Sequence, residues 1–219
     1  MIQFDQWWMP DGETQLPAEM TTINVRVEGR LTWQYHKYAA ALALLPLDRR
    51  RVAVDVGAHV GLWSYWMLKD FAYLHAFEPV AAHRKCWVEN TWGICIGDCV
   101  ALYDCALGSE QTLVNIVQTA GESGGAHINI AGGADVEQYT LDAFDLPIVD
   151  LLKIDVEGYE AAVIAGARET ITRCRPIIVV EDVARNNARY GFDGHVAGLL
   201  RSLGMKLRVA LGSDTIWEW

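Results

Sequence analysis

The sequence has few basic residues and no long apolar run, and both shortages exclude kinds of partner. Its 219 residues include 18 Lys and Arg against 28 Asp and Glu, which gives a formal net charge of −10. Because binding to a phosphate backbone requires a basic face, this composition argues against a nucleic acid partner. The longest apolar stretch, residues 38–47, is far shorter than the ~20 residues that span a bilayer, so we expect no membrane partner.

Paired cysteines at metal-binding spacing are also missing. The cysteines are odd in number and include no C-x-x-C pair, which argues against a disulfide framework and against a zinc knuckle. The first residues, MIQFDQWWMPDGE, lack the basic start, the apolar run and the cleavage site of a signal peptide. We therefore expect reduced thiols and a cytoplasmic location. The cysteines are Cys86, Cys95, Cys99, Cys105 and Cys174.

What the sequence does contain is a series of apolar strands that alternate with helical segments. This order predicts an α/β fold with a mostly parallel sheet, helices on both faces and a C-terminal antiparallel hairpin. We expect residues 1–32 to form an N-terminal extension or lid, and residues 33–219 to form the main domain. The predicted strands cover 52–56, 74–77, 99–103, 112–117, 136–140, 149–154, 177–180, 205–211 and 214–219. The predicted helices cover 33–45, 61–69, 81–90, 160–170 and 196–203.

The first motif, VAVDVGAHVG at 52–61, joins a strand to a helix through glycines. Gly57 and Gly61 offer a ligand backbone N–H groups and a bare backbone face, beside the strand-end Asp55. His59 stands where the dinucleotide fingerprint G-x-G-x-x-G has its second glycine, and this argues against NAD. A tight turn without any ligand is the alternative interpretation of this motif.

Glu78 ends the second strand of this predicted unit, 23 positions after Asp55. An acidic residue at about this spacing accepts hydrogen bonds from ribose hydroxyls. The alternative is that Glu78 caps the helix that Pro79 begins, but a cap does not explain its place after a glycine turn. Together, the glycines and Glu78 indicate an adenosyl ligand.

The second motif is DLLKIDVEGYEAAVIAGA, at 150–167. Strand alternation places Lys153 and Asp155 on one side, with Asp155 at the mouth of the sheet where ligands bind. A lysine within an apolar strand is costly unless it is paired, so we expect Lys153 to meet Asp155, Glu157 or Glu160. Glu160 is typical of a helix N-terminus, whereas we assign Asp155 to the site.

These two motifs and four shorter ones resemble the FkbM family of methyltransferases, in order, from about residue 50 to 182. The resemblance implies a Rossmann-like class I methyltransferase fold, S-adenosylmethionine as methyl donor, and methylation of an oxygen, commonly a hydroxyl of a sugar or a polyketide-type product. His59 is a departure, because the family more often has asparagine there. The shorter motifs are FEP at 77–79, CALG at 105–108, TLDAF at 140–144 and RPIIVVED at 175–182.

The resemblance also implies which residues bind the cofactor. The glycine turn with His59 would cradle the methionine part of the cofactor, and Asp55 would face its positive charge. Glu78 would hold the ribose, and Ala106 would lie near the adenine. The predicted cofactor-binding residues are Asp55, Gly57, His59, Gly61, Glu78, Ala106 and Asp155.

Two ways of removing the acceptor proton are open. A side chain can act as the base, and the candidates are Asp155, Glu157, Glu181 and His127, the last beside a Gly-rich loop at 121–126 that could act as a lid. Alternatively, Asp155, Glu181 and Asp182 can hold Mg²⁺ that acidifies the hydroxyl. We favour the side chain, because Lys153 offsets part of the charge that a metal would need.

The leading prediction is a methyltransferase that modifies a hydroxyl of a sugar, a glycan or a related metabolite, and that could form a homo-oligomer. An NAD-linked oxidoreductase and a non-catalytic adenosyl-binding partner protein are the alternatives. The tryptophans Trp7, Trp8 and Trp33 could stack on sugars, but packing is the simpler interpretation. We expect Trp63, Trp66 and Trp87 in the core.

Overall fold

A computed structural model describes residues 1–94, 97–129, 133–191 and 195–219. The strands are β1 (Ile2–Phe4), β2 (Trp7–Met9), β3 (Arg26–Val27), β4 (Arg30–Leu31), β5 (Val52–Val56), β6 (Tyr73–Phe77), β7 (Val100–Tyr103), β8 (Ala106–Leu107), β9 (Thr112–Thr119), β10 (Glu122–Asn129), β11 (Val136–Tyr139), β12 (Leu151–Ile154), β13 (Ile177–Glu181), β14 (Lys206–Leu211) and β15 (Asp214–Glu218). The α-helices are α1 (Gln15–Ile23), α2 (Tyr35–Leu42), α3 (Ser64–Asp70), α4 (Ala81–Thr91), α5 (Glu160–Ala165), α6 (Arg168–Cys174), α7 (Ala184–Asn187) and α8 (His195–Ser202). None of these helices has both the length and the apolar character needed to cross a bilayer.

The main sheet has the order β14-β15-β13-β12-β5-β6-β7. Its strands from β13 to β7 are parallel, and β14 and β15 form an antiparallel hairpin at one side. This confirms the predicted α/β fold and its C-terminal hairpin. The hairpin is joined to the sheet through its second strand, so that β15 lies between β13 and β14.

Apolar side chains alternate between the two faces of this sheet, and helices cover both. Val54 and Val56 pack on the side of α5, α6 and α8, whereas Ala53 packs on the side of α2, α3 and α4. Trp63, Trp66 and Trp87 are buried on this second side, as expected. Burial on both faces explains why the strands are continuously apolar in sequence.

The predicted Gly-rich loop before His127 is wrong. Residues 122–126 belong to β10, which pairs with β9 in an antiparallel hairpin that places His127 opposite Val117, and Gly121 lies in the turn between the two strands. The pairing shifts register between Glu122 and His127. Glycines weaken a strand, but pairing along a neighbouring strand outweighs that preference here. The hairpin is part of a smaller sheet of order β10-β9-β11-β8.

The helix predicted at 160–170 is two helices, α5 and α6, which separate at Gly166. A Cβ atom at Gly166 would lie 2.0 Å from the carbonyl oxygen of Gly108, and the carbonyl oxygen of Gly166 accepts a hydrogen bond from Asp142 N. The chain therefore leaves the helix where β8 passes close to it. Nothing in the local periodicity reports this approach.

The N-terminal segment, residues 1–32, forms short paired strands and α1. Its residues Trp7 and Met20 are fully buried, in a cluster that includes Val60 and Leu62 of the main domain. The indole N–H of Trp7 donates to Leu31 O at 2.7 Å. Trp7 is therefore a packing residue, and the segment is held tightly beside the turn that follows β5.

The expectation of reduced thiols holds for Cys86, Cys105 and Cys174, which are free. It is wrong for Cys99, which is disulfide-bonded. Cys95 lies outside the described residues. The lack of a C-x-x-C pair does not exclude a disulfide bond between cysteines at another spacing.

Candidate active site

The turn after β5 is shaped by Gly57. This residue has a φ of +74°, and the N–H groups of Gly57 and Ala58 both donate to Phe77 O at 3.0 Å. A Cβ atom at Gly57 would lie 1.9 Å from the carbonyl oxygen of Asp155, so the turn passes directly against the chain that leaves β12. Glycine is required here for both reasons.

Glu78 connects this turn to the start of α4. Its Oε2 accepts a hydrogen bond from His59 N at 2.8 Å, and its Oε1 accepts one from Val80 N at 2.8 Å. Nδ1 of His83 lies 3.1 Å from the same Oε1. The carboxylate therefore holds the glycine turn and the helix start together, and the bond from Val80 N agrees with the interpretation of Glu78 as a helix cap.

A first cleft of about 590 Å³ opens in front of Glu78. Its wall combines this carboxylate and the imidazole of His59 with apolar side chains from β6, β8, β9 and β10, and the β9–β10 hairpin contributes one side. Ala106 and His127 both line it. Its apolar lining includes Phe77, Cys105, Ala106, Leu107, Ile116 and Ile128.

A second cleft of about 850 Å³ adjoins the first. The N-terminal segment, the start of α2 and the ends of β12 and β13 line it, and its wall is rich in carboxylates and includes two indole rings. The carboxylates are those of Glu13, Glu19, Glu122, Asp155, Glu157 and Glu181, and the indoles are those of Trp33 and Trp63. Both clefts are lined by Gly57, His59, Gly124, Asp155 and Glu157, so they meet at these residues.

Lys153 lies beneath the junction of the two clefts. Its Nζ is 3.2 Å from Oδ1 of Asp55 and 3.8 Å from Oδ2 of Asp155, and it donates to Gly57 O at 2.7 Å. The expected pairing with Asp155 is confirmed, but the nearer partner is Asp55, from the neighbouring strand, which was not among the expected carboxylates. Burial lowers the pKa of Lys153, but the charges of Asp55 and Asp155 outweigh it and raise that pKa above its ordinary value.

Asp55 is fully buried behind the turn. Oδ2 of Asp55 accepts a hydrogen bond from the hydroxyl of Ser64 at 2.6 Å, and its Oδ1 faces Lys153. Gly61 lies farther along, where a Cβ atom would be 2.9 Å from the Trp87 ring. Asp55 and Gly61 were both predicted to bind the cofactor, but neither is among the described residues that line the two clefts.

Three carboxylates gather where the clefts meet. Asp155, Glu157 and Glu181 each offer an oxygen within 4.8 Å of the others. Burial and the neighbouring Asp155 raise the pKa of Glu157 to about 7 and that of Glu181 to about 9. Burial also raises the pKa of Asp155, although Lys153 opposes this.

Glu157 is held in an unusual backbone conformation, with a φ of +59°. Its Oε2 accepts a hydrogen bond from the amide of Asn186 at 2.9 Å. The side chain is thus fixed at the wall shared by both clefts. Non-glycine residues with positive φ often occur at functional sites.

Other predicted site residues lie apart from this cluster. Asp182 accepts a hydrogen bond from the amide of Asn187 at 2.6 Å and stands outside the carboxylate group, whose third member is Glu157. Nδ1 of His127 lies 2.9 Å from Gly125 O, on the side of the first cleft. Glu160 accepts hydrogen bonds from two backbone N–H groups at the start of α5, which agrees with its interpretation as a helix N-terminal residue.

Sequence reasoning missed the residues that join the N-terminal segment to the site. Glu13 is 4% exposed, and its Oε2 accepts a hydrogen bond from Ser123 N at 2.6 Å. Nε2 of His59 lies 2.8 Å from Oγ of Ser123. The two partners of Ser123 are 110 and 64 positions away in sequence. No local pattern could have identified them.

Comparison with known proteins gives a family match. The sequence model of the methyltransferase FkbM domain matches residues 55–207. The antimetabolite synthetase AmbE of Pseudomonas aeruginosa is 26% identical over 220 residues, covering 80% of this chain and 10% of the synthetase. The chain therefore spans about a tenth of that curated relative.

Solved structures share the fold. The methyltransferase FkbM of Methylobacillus flagellatus KT has a TM-score of 0.54 at 17% identity, over 81% of this chain and 45% of that one. A precorrin-6y C5,15-methyltransferase of Geobacter metallireducens GS-15 has a TM-score of 0.50 at 14% identity, over 100% of this chain and 96% of that one. These likenesses establish a class I methyltransferase fold.

Proposed function

This chain belongs to the FkbM methyltransferase family, and we propose that it transfers a methyl group from S-adenosylmethionine to a hydroxyl of a sugar, a glycan or a related metabolite. The observation that carries the proposal is the pair of clefts that meet at Gly57, His59, Asp155 and Glu157. A transfer reaction needs two ligands whose reacting atoms come together at one place. We assign the first cleft to the cofactor and the second cleft to the acceptor.

The residues of the first cleft fit an adenosyl group. The backbone of Gly57 is bare where a Cβ atom would otherwise stand, Glu78 is a carboxylate for ribose hydroxyls, and Ala106 lies within an apolar wall suited to adenine. Asp55 would act from behind, by holding Lys153 beneath the Gly57 turn. When bound, S-adenosylmethionine supplies a methyl group that its sulfonium already activates.

The second cleft suits a hydroxylated acceptor. Trp33 and Trp63 offer aromatic faces, and carboxylates such as Glu19 and Glu122 accept hydrogen bonds from hydroxyl groups. Sugars present both apolar ring faces and many hydroxyls, so this combination favours a sugar-like compound. The N-terminal segment supplies part of this wall, which supports a role in acceptor recognition.

Glu157 is our choice for the base that accepts the hydroxyl proton. It lines both clefts, and its pKa of about 7 is matched to proton transfer near neutral pH. Glu181, with a pKa of about 9, is protonated at neutral pH, and Asp155 is paired with Lys153. His127 lines the first cleft, away from the acceptor wall.

Binding and turnover test this proposal in sequence. Calorimetry should detect binding of S-adenosylmethionine and S-adenosylhomocysteine to the protein, but no binding of NAD. A panel of hydroxylated sugars and glycans should then give S-adenosylhomocysteine as product, whereas a non-catalytic adenosyl-binding protein would bind the cofactor and transfer nothing. Tight binding of NAD alone would overturn the assignment of the first cleft.

A further inference from the structure

The N-terminal segment touches both clefts at once. Leu16 and Glu19 of α1 line the second cleft, and Glu13, just before that helix, reaches the β9–β10 hairpin that borders the first. Oε1 of Glu13 accepts a hydrogen bond from Leu16 N at 2.9 Å, while its Oε2 accepts one from Ser123 N at 2.6 Å. One buried carboxylate therefore joins α1 to the hairpin.

The hairpin turn is fixed to the same segment by its backbone. Gly121 O accepts hydrogen bonds from Thr14 N at 3.1 Å and from Gln15 N at 3.2 Å. Burial raises the pKa of Glu13, but hydrogen bonds from Ser123 and Leu16 outweigh it, so this pKa is lowered and the carboxylate is charged at neutral pH. Hydrogen bonds to a charged acceptor are the stronger kind.

From Ser123 the contacts continue to the residues assigned to the cofactor. Oγ of Ser123 lies 2.8 Å from Nε2 of His59, whose backbone N–H donates to Glu78 at 2.8 Å. Burial, with His83 and Lys153 nearby, lowers the pKa of His59 well below its ordinary value, so its ring is neutral. A continuous series of contacts therefore runs from Glu13 through Ser123 and His59 to Glu78.

We propose that Glu13 is a positioning residue that fixes Ser123 against His59, and thereby couples the acceptor cleft to the cofactor cleft. This inference rests on the proposed function, because it assumes what each cleft binds. The family match begins at residue 55, so the position of Glu13 is a property of the segment that precedes it. An acceptor that contacts α1 would stabilise the hairpin in place, and by linkage it would tighten cofactor binding.

The hairpin also makes contacts outside this series. The hydroxyl of Tyr190 donates to Ile128 O at 2.6 Å, away from the turn, and nearer the turn Nε2 of Gln118 lies 2.9 Å from Nε2 of His83. These contacts do not involve Glu13. Loss of the Glu13 contact should therefore loosen one end of the hairpin and leave the fold intact.

The test measures the affinity of the full chain for S-adenosylhomocysteine by calorimetry. We expect Glu13→Gln and Ser123→Ala each to weaken binding by about tenfold, in the range of one hydrogen bond to a charged group. Glu28→Gln is the matched control, because Glu28 is an exposed carboxylate of the same N-terminal segment that pairs with Lys69 and lines neither cleft. It should change the affinity by less than about twofold.

A double-mutant cycle separates positioning from a general structural role. In a His59→Asn background the contact between Ser123 and the His59 ring is already lost. Glu13→Gln should then weaken S-adenosylhomocysteine binding by much less than tenfold. Full additivity, unchanged affinity in Glu13→Gln and Ser123→Ala, or an equal loss in Glu28→Gln would each overturn the inference. Wild-type protein that fails to bind S-adenosylhomocysteine would instead overturn the proposed function itself.

Discussion

Nζ of Lys153 lies 3.2 Å from Oδ1 of Asp55, and both side chains are buried under the turn that follows β5. Two strands that are neighbours in the sheet supply the pair, at positions that face each other in register. The ammonium also donates to Gly57 O at 2.7 Å. The charge pair thus supports the backbone of the turn from below.

We expect Lys153→Met to destabilise the protein by about 3–5 kcal/mol, because Asp55 is left as an uncompensated buried charge. Urea unfolding monitored by tryptophan fluorescence measures this. Lys69→Met is the control, because Lys69 pairs with Glu28 at the surface and should cost about 1 kcal/mol or less. Equal effects of the two substitutions would contradict this account of the buried pair.

Gly57→Ala should both destabilise the protein and abolish binding of S-adenosylhomocysteine. A methyl group there meets Asp155 O, in addition to the cost of a positive φ. Gly12→Ala isolates the cost of the positive φ, since Gly12 has a φ of +81° but open space around it. This substitution should destabilise the protein by about 1–2 kcal/mol. Thermal unfolding and calorimetry of the two variants give the comparison. A Gly57→Ala protein that matches Gly12→Ala in both measurements would show that the close approach is unimportant.

Glu181→Gln should stabilise the protein increasingly as the pH rises from 5 to 9. The pKa of Glu181 is about 9 in the folded state, above its ordinary value of 4.5, so the folded protein keeps a proton that the unfolded chain releases over this window. Stability therefore falls as pH rises, and glutamine removes that loss. The difference in Tm from wild type, measured at several pH values, should grow by a few degrees.

The control for that series is Glu89→Gln, which removes an exposed carboxylate on α4. Its effect on Tm should be small at every pH. A Glu181→Gln difference that is constant from pH 5 to 9 would show that Glu181 is charged in the folded protein throughout this range.

Glu157→Gln should lower the rate of methyl transfer by about 10²–10⁴-fold while S-adenosylhomocysteine binding is preserved, as expected for loss of a general base. The wild-type rate should rise with pH around an apparent pKa of about 7 and then level off. Single-turnover assays across pH with any acceptor found by screening provide the measurement.

Chelation separates this base from the metal alternative. With Glu157 as the base, turnover survives EDTA. Loss of turnover in EDTA that Mg²⁺ restores would instead assign Asp155, Glu157 and Glu181 as ligands. Asp182→Asn, outside that cluster, should leave turnover close to wild type in either case.

The parts of the fold that could be predicted are those whose signal is local. The strands β5, β12 and β13 are buried on both faces, so their apolar runs are visible in sequence. Lys153 could be paired in advance because an unpaired buried ammonium is too costly to survive. The proximity of the glycine turn and Glu78 could be predicted because each follows a strand, and the ends of parallel strands meet at one edge of a sheet.

The remainder depends on contacts between distant segments. The strand β10 contains Gly124 and Gly125, and only its pairing with β9 makes it a strand. Glu13 reaches Ser123 across 110 positions. Glu157, rather than Asp182, joins Asp155 and Glu181, and Glu157 has a positive φ that the sequence does not indicate. Backbone torsion angles and long-range strand pairing do not change the spacing of apolar residues along the sequence, so that spacing cannot predict them.

The placement of β15 between β13 and β14 has a consequence for aggregation. Without the hairpin, β13 would present an open row of N–H and C=O groups beside fully apolar side chains, which is a template for pairing with other chains. The edge is instead β14, whose exposed Lys206 and Arg208 carry charge and whose pairing shifts register between Leu207 and Val209. Charge and a bulge both discourage strand addition, so we expect removal of residues 206–219 to increase aggregation.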